Sequence, residues 1–309
     1  MSLTVVGSIA FDAVKTPFGE RERMLGGAAV HFSLAASFFT AVRPVGPVGE
    51  DFGAEEFAVL ERRGVLTEDV ERVPGDSFFW RGHYEFDLNV AHTDDTRLGV
   101  FESFEPKLSA AAESADTVFL ANIQPDLQRR VRGRCGDAGL TGLDSMNFWI
   151  ESARDSLLAA IAEVDVLVLN DAEIRMLTGK PNLARASREL MSAGPRAVVA
   201  KQGEYGAALF TESGFFALPG FPLEDVIDPT GAGDSFAGGF FGYLDGLGAG
   251  AAELSEEQLR LAMGYGTVLA SFNIQEFGTE RVARLNREEI DERLEQLRAM
   301  TSFEVARSA

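Results

Sequence analysis

Short apolar runs recur along this chain, and stretches with helical character follow them. "DTVFLAN" precedes "PDLQRRVRGRCGDAG", and "LTGLDSMN" precedes "WIESARDSLLAAIAEV". "VDVLVLN" precedes "DAEIRMLTG", a helix closed by Gly179. Apolar strands alternating with helices predict an α/β fold, a mostly parallel sheet covered on both faces. The rhythm starts with "LTVVGSIAFD", read as one buried strand running to Asp12. A small-residue helix in "GGAAVHFSLAASFF", a strand in "AVRPVGPVGEDFG" and an amphipathic helix in "EEFAVLERRGV" follow. "RAVVAKQG" and "GAALFTE" are further strands. Helices are expected from about Asp234, over "SEEQLRLAMGYGTVLASFNI" and near 287–299.

One region breaks the rhythm. "SFFWRGHYEF" sets Phe78, Trp80, Gly82, Tyr84 and Phe86 on one side of a strand, and the pattern continues loosely through "VAHTDDTRLGVFESFEP". It reads as a β insertion in one domain spanning 1–309, without internal repeat or low-complexity linker.

The 48 acids and 28 bases give a formal charge of −20, which argues against nucleic acid or an anionic membrane as the main partner. Four of the bases are lysines. This composition suits a saline cytoplasm or simply arginine use set by genome composition. Cys135 is the only cysteine, so no intramolecular disulfide forms, and a reducing cytoplasm is expected. Neither a signal peptide nor a membrane span is expected.

Four motifs carry candidate chemistry. In "DPTGAGDSFAGGFF", Gly231, Ala232 and Gly233 leave backbone N–H groups uncovered before a helix, a site for an anion. Asp234 then stands where it can deprotonate an alcohol, or else simply caps the helix. In "NDAE", Asn170 and Glu173 end a strand and suit a hydrated Mg²⁺ or its phosphate ligands, and equally form a capping box. In "KQGEYG", Lys201, Gly203 and Gly206 let backbone approach a flat or phosphorylated ligand, or turn a hairpin. Near the N-terminus, Asp12 with the pair Gly26–Gly27 suits polyol hydroxyls, and Asp12 also suits a plain turn.

Together these motifs resemble the ribokinase-like, phosphofructokinase-B-type (PfkB) carbohydrate and nucleoside kinases. The likeness runs through most of the chain and in the family's order. "GSIAFD" is similar to the first-strand motif ending in the sugar-binding Asp, "GGAAVH" to the glycine pair and "VGPVGEDFG" to the second-strand signature. "NDAE", "KQGEYG" and "DPTGAGD" are similar to the later motifs, the last being the most specific. The resemblance implies a three-layer αβα fold with a small β lid, formed by about 13–25 and 77–101. It implies Asp234 as catalytic base, Gly231, Ala232 and Gly233 as anion hole, and Asp12, Gly26, Gly27 and His31 as acceptor contacts. Asn170, Glu173, Lys201, Gly203 and Gly206 would serve the nucleotide side, with Glu173 acting indirectly on Mg²⁺. ATP and Mg²⁺ are the implied cofactors, and a monovalent-cation requirement is left open.

The chain also departs from the pattern. The family usually carries Asn where this chain has His31, and relatives that take ribose carry Asn where it has Ala10. Free ribose is therefore expected to be a poor acceptor, unless His31 packs behind the glycine turn instead. The expected activity is phosphotransfer from ATP to a hydroxymethyl group of a sugar or polyol, with a nucleoside as alternative acceptor. The aromatic set Phe11, Phe78, Phe79 and Trp80 suits either. A silent binding protein of this fold would not need the base. A nicotinamide dehydrogenase is excluded because no G-x-G-x-x-G follows the first strand. Pairing of two lids would give a homodimer.

Overall fold

The computed structural model describes residues 1–302, and in it the alternating elements close into a nine-stranded sheet beside a four-stranded one. The strands are β1 (Leu3–Val6), β2 (Ala10–Thr16), β3 (Gly19–Gly26), β4 (Val42–Val48), β5 (Val70–Arg72), β6 (Phe78–Tyr84) and β7 (Ala91–Arg97). β8 (Thr117–Leu120), β9 (Leu140–Leu143), β10 (Val166–Asn170), β11 (Ala197–Lys201), β12 (Ala207–Thr211) and β13 (Gly214–Leu218) follow. The large sheet runs β13-β12-β11-β10-β9-β8-β1-β4-β5. Its pairs from β5 to β11 are parallel, and β12 and β13 add an antiparallel edge.

Side-chain alternation splits the core into two layers. Val166 and Val168 face one helix layer, which includes Ala28–Ala36 and Ala232–Gly246. Leu167 and Leu169 face the other, which includes Pro125–Arg134 and Asp171–Thr178. This is the three-layer arrangement expected from the sequence. No helix among the described residues is long and apolar enough to cross a membrane.

The first expected strand is divided. β1 ends at Val6, and the chain leaves the large sheet through Gly7–Ile9 to enter the small one as β2. Ser8 explains the break. Its Oγ accepts from the Ala28 N–H at 3.0 Å and its carbonyl from the Ala29 N–H at 3.0 Å. It thus caps a helix whose own N-cap, Gly27, has no side chain. Asp12 consequently lies inside the small sheet, not at the end of β1. The expected helix over 149–164 is also two, Asn147–Ser152 and Arg154–Ile161, because Ala153 leaves helical geometry at φ −143°. β13 and the helix Leu183–Met191 were not foreseen.

The small sheet runs β3-β2-β6-β7 and joins the hairpin 10–26 to the β insertion. β2 and β6 pair in parallel, with Asp12 beside Trp80 and Val14 beside Gly82. Paired residues share a face, so Asp12, Trp80, Gly82 and Tyr84 line one side.

Glycine sets how closely the two helices carrying candidate site residues approach. A Cβ on Gly238 would lie 2.3 Å from the Phe32 carbonyl oxygen, and one on Gly242 2.7 Å from Cα of Ala36. Gly238→Val is expected to destabilise the protein by about 3 kcal/mol through overpacking. Urea unfolding checks this, and unchanged stability would mean the helix pair does not depend on the contact.

Candidate active site

The carboxyl ends of β9, β10 and β11 and the start of the Ala232–Gly246 helix converge at one edge of the large sheet, where open α/β sheets bind ligands. Asn170 and Lys201 are register partners at the ends of β10 and β11. Asp144 directly follows β9.

The helix begins after Gly231, which is left-handed at φ 75°. Only glycine suits this residue for two reasons. The backbone is disfavoured for other residues, and a Cβ would meet the His31 ring at 2.4 Å. His31 is 2% exposed and packed against the turn. Its Nδ1 lies 3.0 Å from Oδ1 of Asn273. Asn273 Nδ2 donates to the Thr230 carbonyl at 2.7 Å, so Oδ1 is the accepting atom and His31 Nδ1 carries the proton. Burial pushes the imidazole down to about 4, which keeps it neutral. Ser235 Oγ donates to the same Oδ1 at 3.0 Å.

Asp234 lies in the first helical turn, half-buried. Burial, and then the Asp144 charge, push its carboxyl up to about 7, and Lys201 works against the rise. Lys201 Nζ contacts Asp144 Oδ2 at 2.8 Å and lies 3.0 Å from where a Gly233 Cβ would stand. One ammonium thus serves the exposed backbone of the turn and a buried carboxylate together. Burial opposes its charge, but Asp144 and Glu173 hold it above the usual lysine range.

Glu173 and Asn170 form the capping box. The Asn170 N–H donates to Oε2 of Glu173, and the Glu173 N–H to Oδ1 of Asn170, each at 2.8 Å. Burial and then the Asp144 charge raise the Glu173 carboxyl. Gly203 and Gly206, at φ 58° and 92°, turn the β11–β12 hairpin, so "KQGEYG" is a hairpin beside the same cleft.

The small sheet supplies the facing wall. Asp12 is 5% exposed and its Oδ2 lies where a Gly26 Cβ would be, 1.9 Å away, so the carboxylate occupies space that glycine leaves. Burial pushes Asp12 up to about 7. The Gly27 amide opposes this, and the charges of Asp228 and Asp234 add to it. Asp228 is buried beneath the turn, accepting from the N–H groups of Thr230 and Gly278 at 2.9 Å each. The Trp80 indole lies across Gly82, where a Cβ would come within 2.3 Å of it. Phe11 and Phe79 point to the opposite face, under the guanidiniums of Arg23 and Arg97, and Phe78 stacks on Phe101. Of the four aromatics singled out in the sequence, Trp80 is the one that is the register partner of Asp12.

Three residues of this arrangement were not singled out as site residues. Asp144 had a readable signal, since it ends a buried strand run. Tyr84 was noted only for its alternation. Asn273 sits inside an apolar helix, and nothing local marks it.

A family description, pfkB family carbohydrate kinase, matches residues 100–284. The chain belongs to that family. It is 30% identical over 254 residues to a cytidine kinase of Thermococcus kodakarensis, covering 80% of this chain and 90% of the relative. It is 25% identical over 266 residues to a deoxyribokinase of Salmonella typhi, covering 82% and 83%. The fold matches a Burkholderia thailandensis nucleoside kinase solved with inosine, at TM-score 0.79 and 22% identity, over 95% of this chain and 97% of that one. The protein is an ATP-dependent kinase of the sugar and nucleoside kinase group, with a hydroxyl acceptor.

The kinase carries a pH signature in Asp12. Its carboxyl titrates near 3.8 ordinarily and about 7 in the fold. Stability from the protonated form is complete below the lower value and is lost as pH rises through the upper one. Asp12→Asn is expected to gain stability relative to wild type between pH 5 and pH 8, read from ligand-free melting curves. Parallel curves would refute the assignment.

Proposed function

We propose that this kinase transfers the γ-phosphoryl group of ATP to the 5′-hydroxymethyl group of a nucleoside. The observation that carries this reading over a free sugar is the Trp80 indole, which lies over Gly82, next to Asp12 on the same face. A planar base stacks on such a surface, while Asp12 accepts hydrogen bonds from the ribose hydroxyls. The similarity to a cytidine kinase supports the same choice.

In this reading the segments 13–25 and 77–101 are a lid that brings Trp80 and Asp12 over the acceptor. Asp234 takes the proton of the attacking hydroxyl. A carboxyl held near 7 is matched to that task at neutral pH, although phosphoryl transfer through a loose transition state asks little early deprotonation. The N–H groups of Gly231 and Gly233 receive the phosphoryl oxygens, whereas that of Ala232, also expected there from the sequence, donates to the Pro229 carbonyl at 3.2 Å; Lys201 adds a fixed positive charge beside them. Asn170, Gly203 and Gly206 border the nucleotide. His31 supports the Gly231 turn from behind instead of touching the acceptor.

Mg²⁺ fits the residues present. Asp144 and Glu173 lie close enough to raise the Glu173 carboxyl, so two acids share one lysine, and a divalent cation neutralises that excess. The ion, with its waters, would supply charge compensation for the ATP phosphates.

ADP release measured on a panel of nucleosides, ribose, deoxyribose, fructose and ketodeoxygluconate tests the acceptor class. Nucleosides are expected to lead, and a free sugar as best acceptor would overturn the reading. Asp234→Asn is expected to lower kcat by ~10²–10⁴-fold with nucleotide binding retained; full activity would remove it as base. Gly82→Val displaces the indole and is expected to raise the nucleoside KM by about 10-fold or more while the ATP KM holds, given what aromatic stacking on a base contributes.

A further inference from the structure

Resting on the nucleoside reading, we infer that Tyr84 is a specificity-determining residue, whose hydroxyl donates a hydrogen bond to the acceptor oxygen next to the reacting hydroxymethyl group. In a nucleoside that atom is the furanose ring oxygen.

The inference starts from position. Tyr84 ends β6 and shares the face of Asp12 and Trp80. Its Oη accepts from Thr230 Oγ1 at 3.3 Å. Thr230 immediately precedes the left-handed Gly231, so this contact joins the small sheet to the phosphoryl-binding turn. The phenol therefore stands between the acceptor wall and the anion turn, where an acceptor hydroxymethyl must lie to react.

The hydrogen-bond inventory supplies the second step. A phenol has one proton to give and lone pairs to receive. Thr230 uses the receiving side. Among the described residues no carbonyl or carboxylate takes the Tyr84 proton, although the group is half-buried. Burial, and then the charges of Asp228, Asp12 and Asp234, push its ionisation well above the usual phenol range. Tyr84 thus remains a neutral donor at every working pH. The neighbouring acids are acceptors, suited to the hydroxyl groups of the substrate. A ring oxygen has no proton and needs a donor, and Tyr84 offers one that stays protonated across the working pH range.

A second contact explains why the strand end is well placed. In the β6–β7 loop, Asn89 Nδ2 donates to Glu204 Oε1 at 3.2 Å, and its Oδ1 lies where a Gly203 Cβ would be, 2.7 Å away. The end of β6 and the loop after it are thus anchored at two places, Thr230 and the β11–β12 hairpin.

The test crosses a change in the enzyme with a change in the substrate. Wild type and Tyr84→Phe are each assayed with the best nucleoside of the panel and with its carbocyclic analogue, in which CH₂ replaces the ring oxygen. For wild type, the analogue is expected to lose about 10-fold in kcat/KM, the scale for one buried hydrogen bond with a partner left unpaired. Tyr84→Phe is expected to lose a similar factor with the natural nucleoside and little more with the analogue, the loss falling mainly on the acceptor KM. The ATP KM should hold. Equal losses on both substrates would assign Tyr84 to holding the lid alone and overturn the inference while leaving the nucleoside reading intact. Absence of turnover with every nucleoside would overturn both. Melting curves identify a variant that fails to fold, in which case Tyr84→Trp, which restores a ring N–H donor, must regain discrimination against the analogue or the inference falls.

Discussion

The site is organised around one buried amide. Asn273 ties the carbonyl of Thr230 to the side chains of His31 and Ser235, joining the phosphoryl-binding turn to the helices at 28–36, 232–246 and 256–273. An amide removed from water must be bonded at both ends or it costs about 1–3 kcal/mol per unpaired group. Here both ends are used, and that fixes what the neighbours are. His31 must carry its proton on Nδ1, which burial assists by keeping the ring neutral. Gly231 must lack a side chain, because the same ring fills the space behind it. The left-handed turn at 231–233, in which the Ala232 N–H already donates to the Pro229 carbonyl at 3.2 Å, is therefore set by packing before any phosphate arrives, the condition under which fixed dipoles stabilise developing charge most effectively.

The charges in front of the turn are arranged less comfortably. Asp144, Glu173 and Asp234 surround one lysine, and Asp12 faces them from the other sheet. Each carboxyl with a raised affinity for protons reports desolvation and repulsion. On the proposed reading a ligand brings the compensating groups: hydroxyl protons for Asp12 and Asp234, a cation for Asp144 and Glu173. The fold carries this cost on the large sheet, whose two apolar layers supply most of the core.

The large sheet was legible because burial on both faces writes itself into the sequence as apolar runs such as "VDVLVLN". The glycine turn was legible because only small residues expose amides. Asp12 was found, but its strand was assigned to the wrong sheet: nothing in "LTVVGSIAFD" states that Ser8 is diverted to cap a helix twenty residues on. His31 was given as an acceptor contact by its place in the family motif, with packing behind the turn as the alternative; it packs against the Gly231 turn, and such depth is not encoded by spacing. Asn273 and Tyr84 act through partners more than 40 and 140 residues away, respectively. Local periodicity is blind to such pairs.

The division of labour between the two sheets has a further physical consequence. Asp234 lies on the helix Ala232–Gly246 packed against the large sheet and Asp12 on the small sheet, close enough for the Asp234 charge to raise the Asp12 carboxyl. Two carboxyls in shared low-dielectric space favour the state in which one of them holds a proton. An acceptor changes that balance by placing hydroxyl donors between them. On the proposed reading, the two acids therefore bind the acceptor most favourably when its hydroxyl donors lie between them.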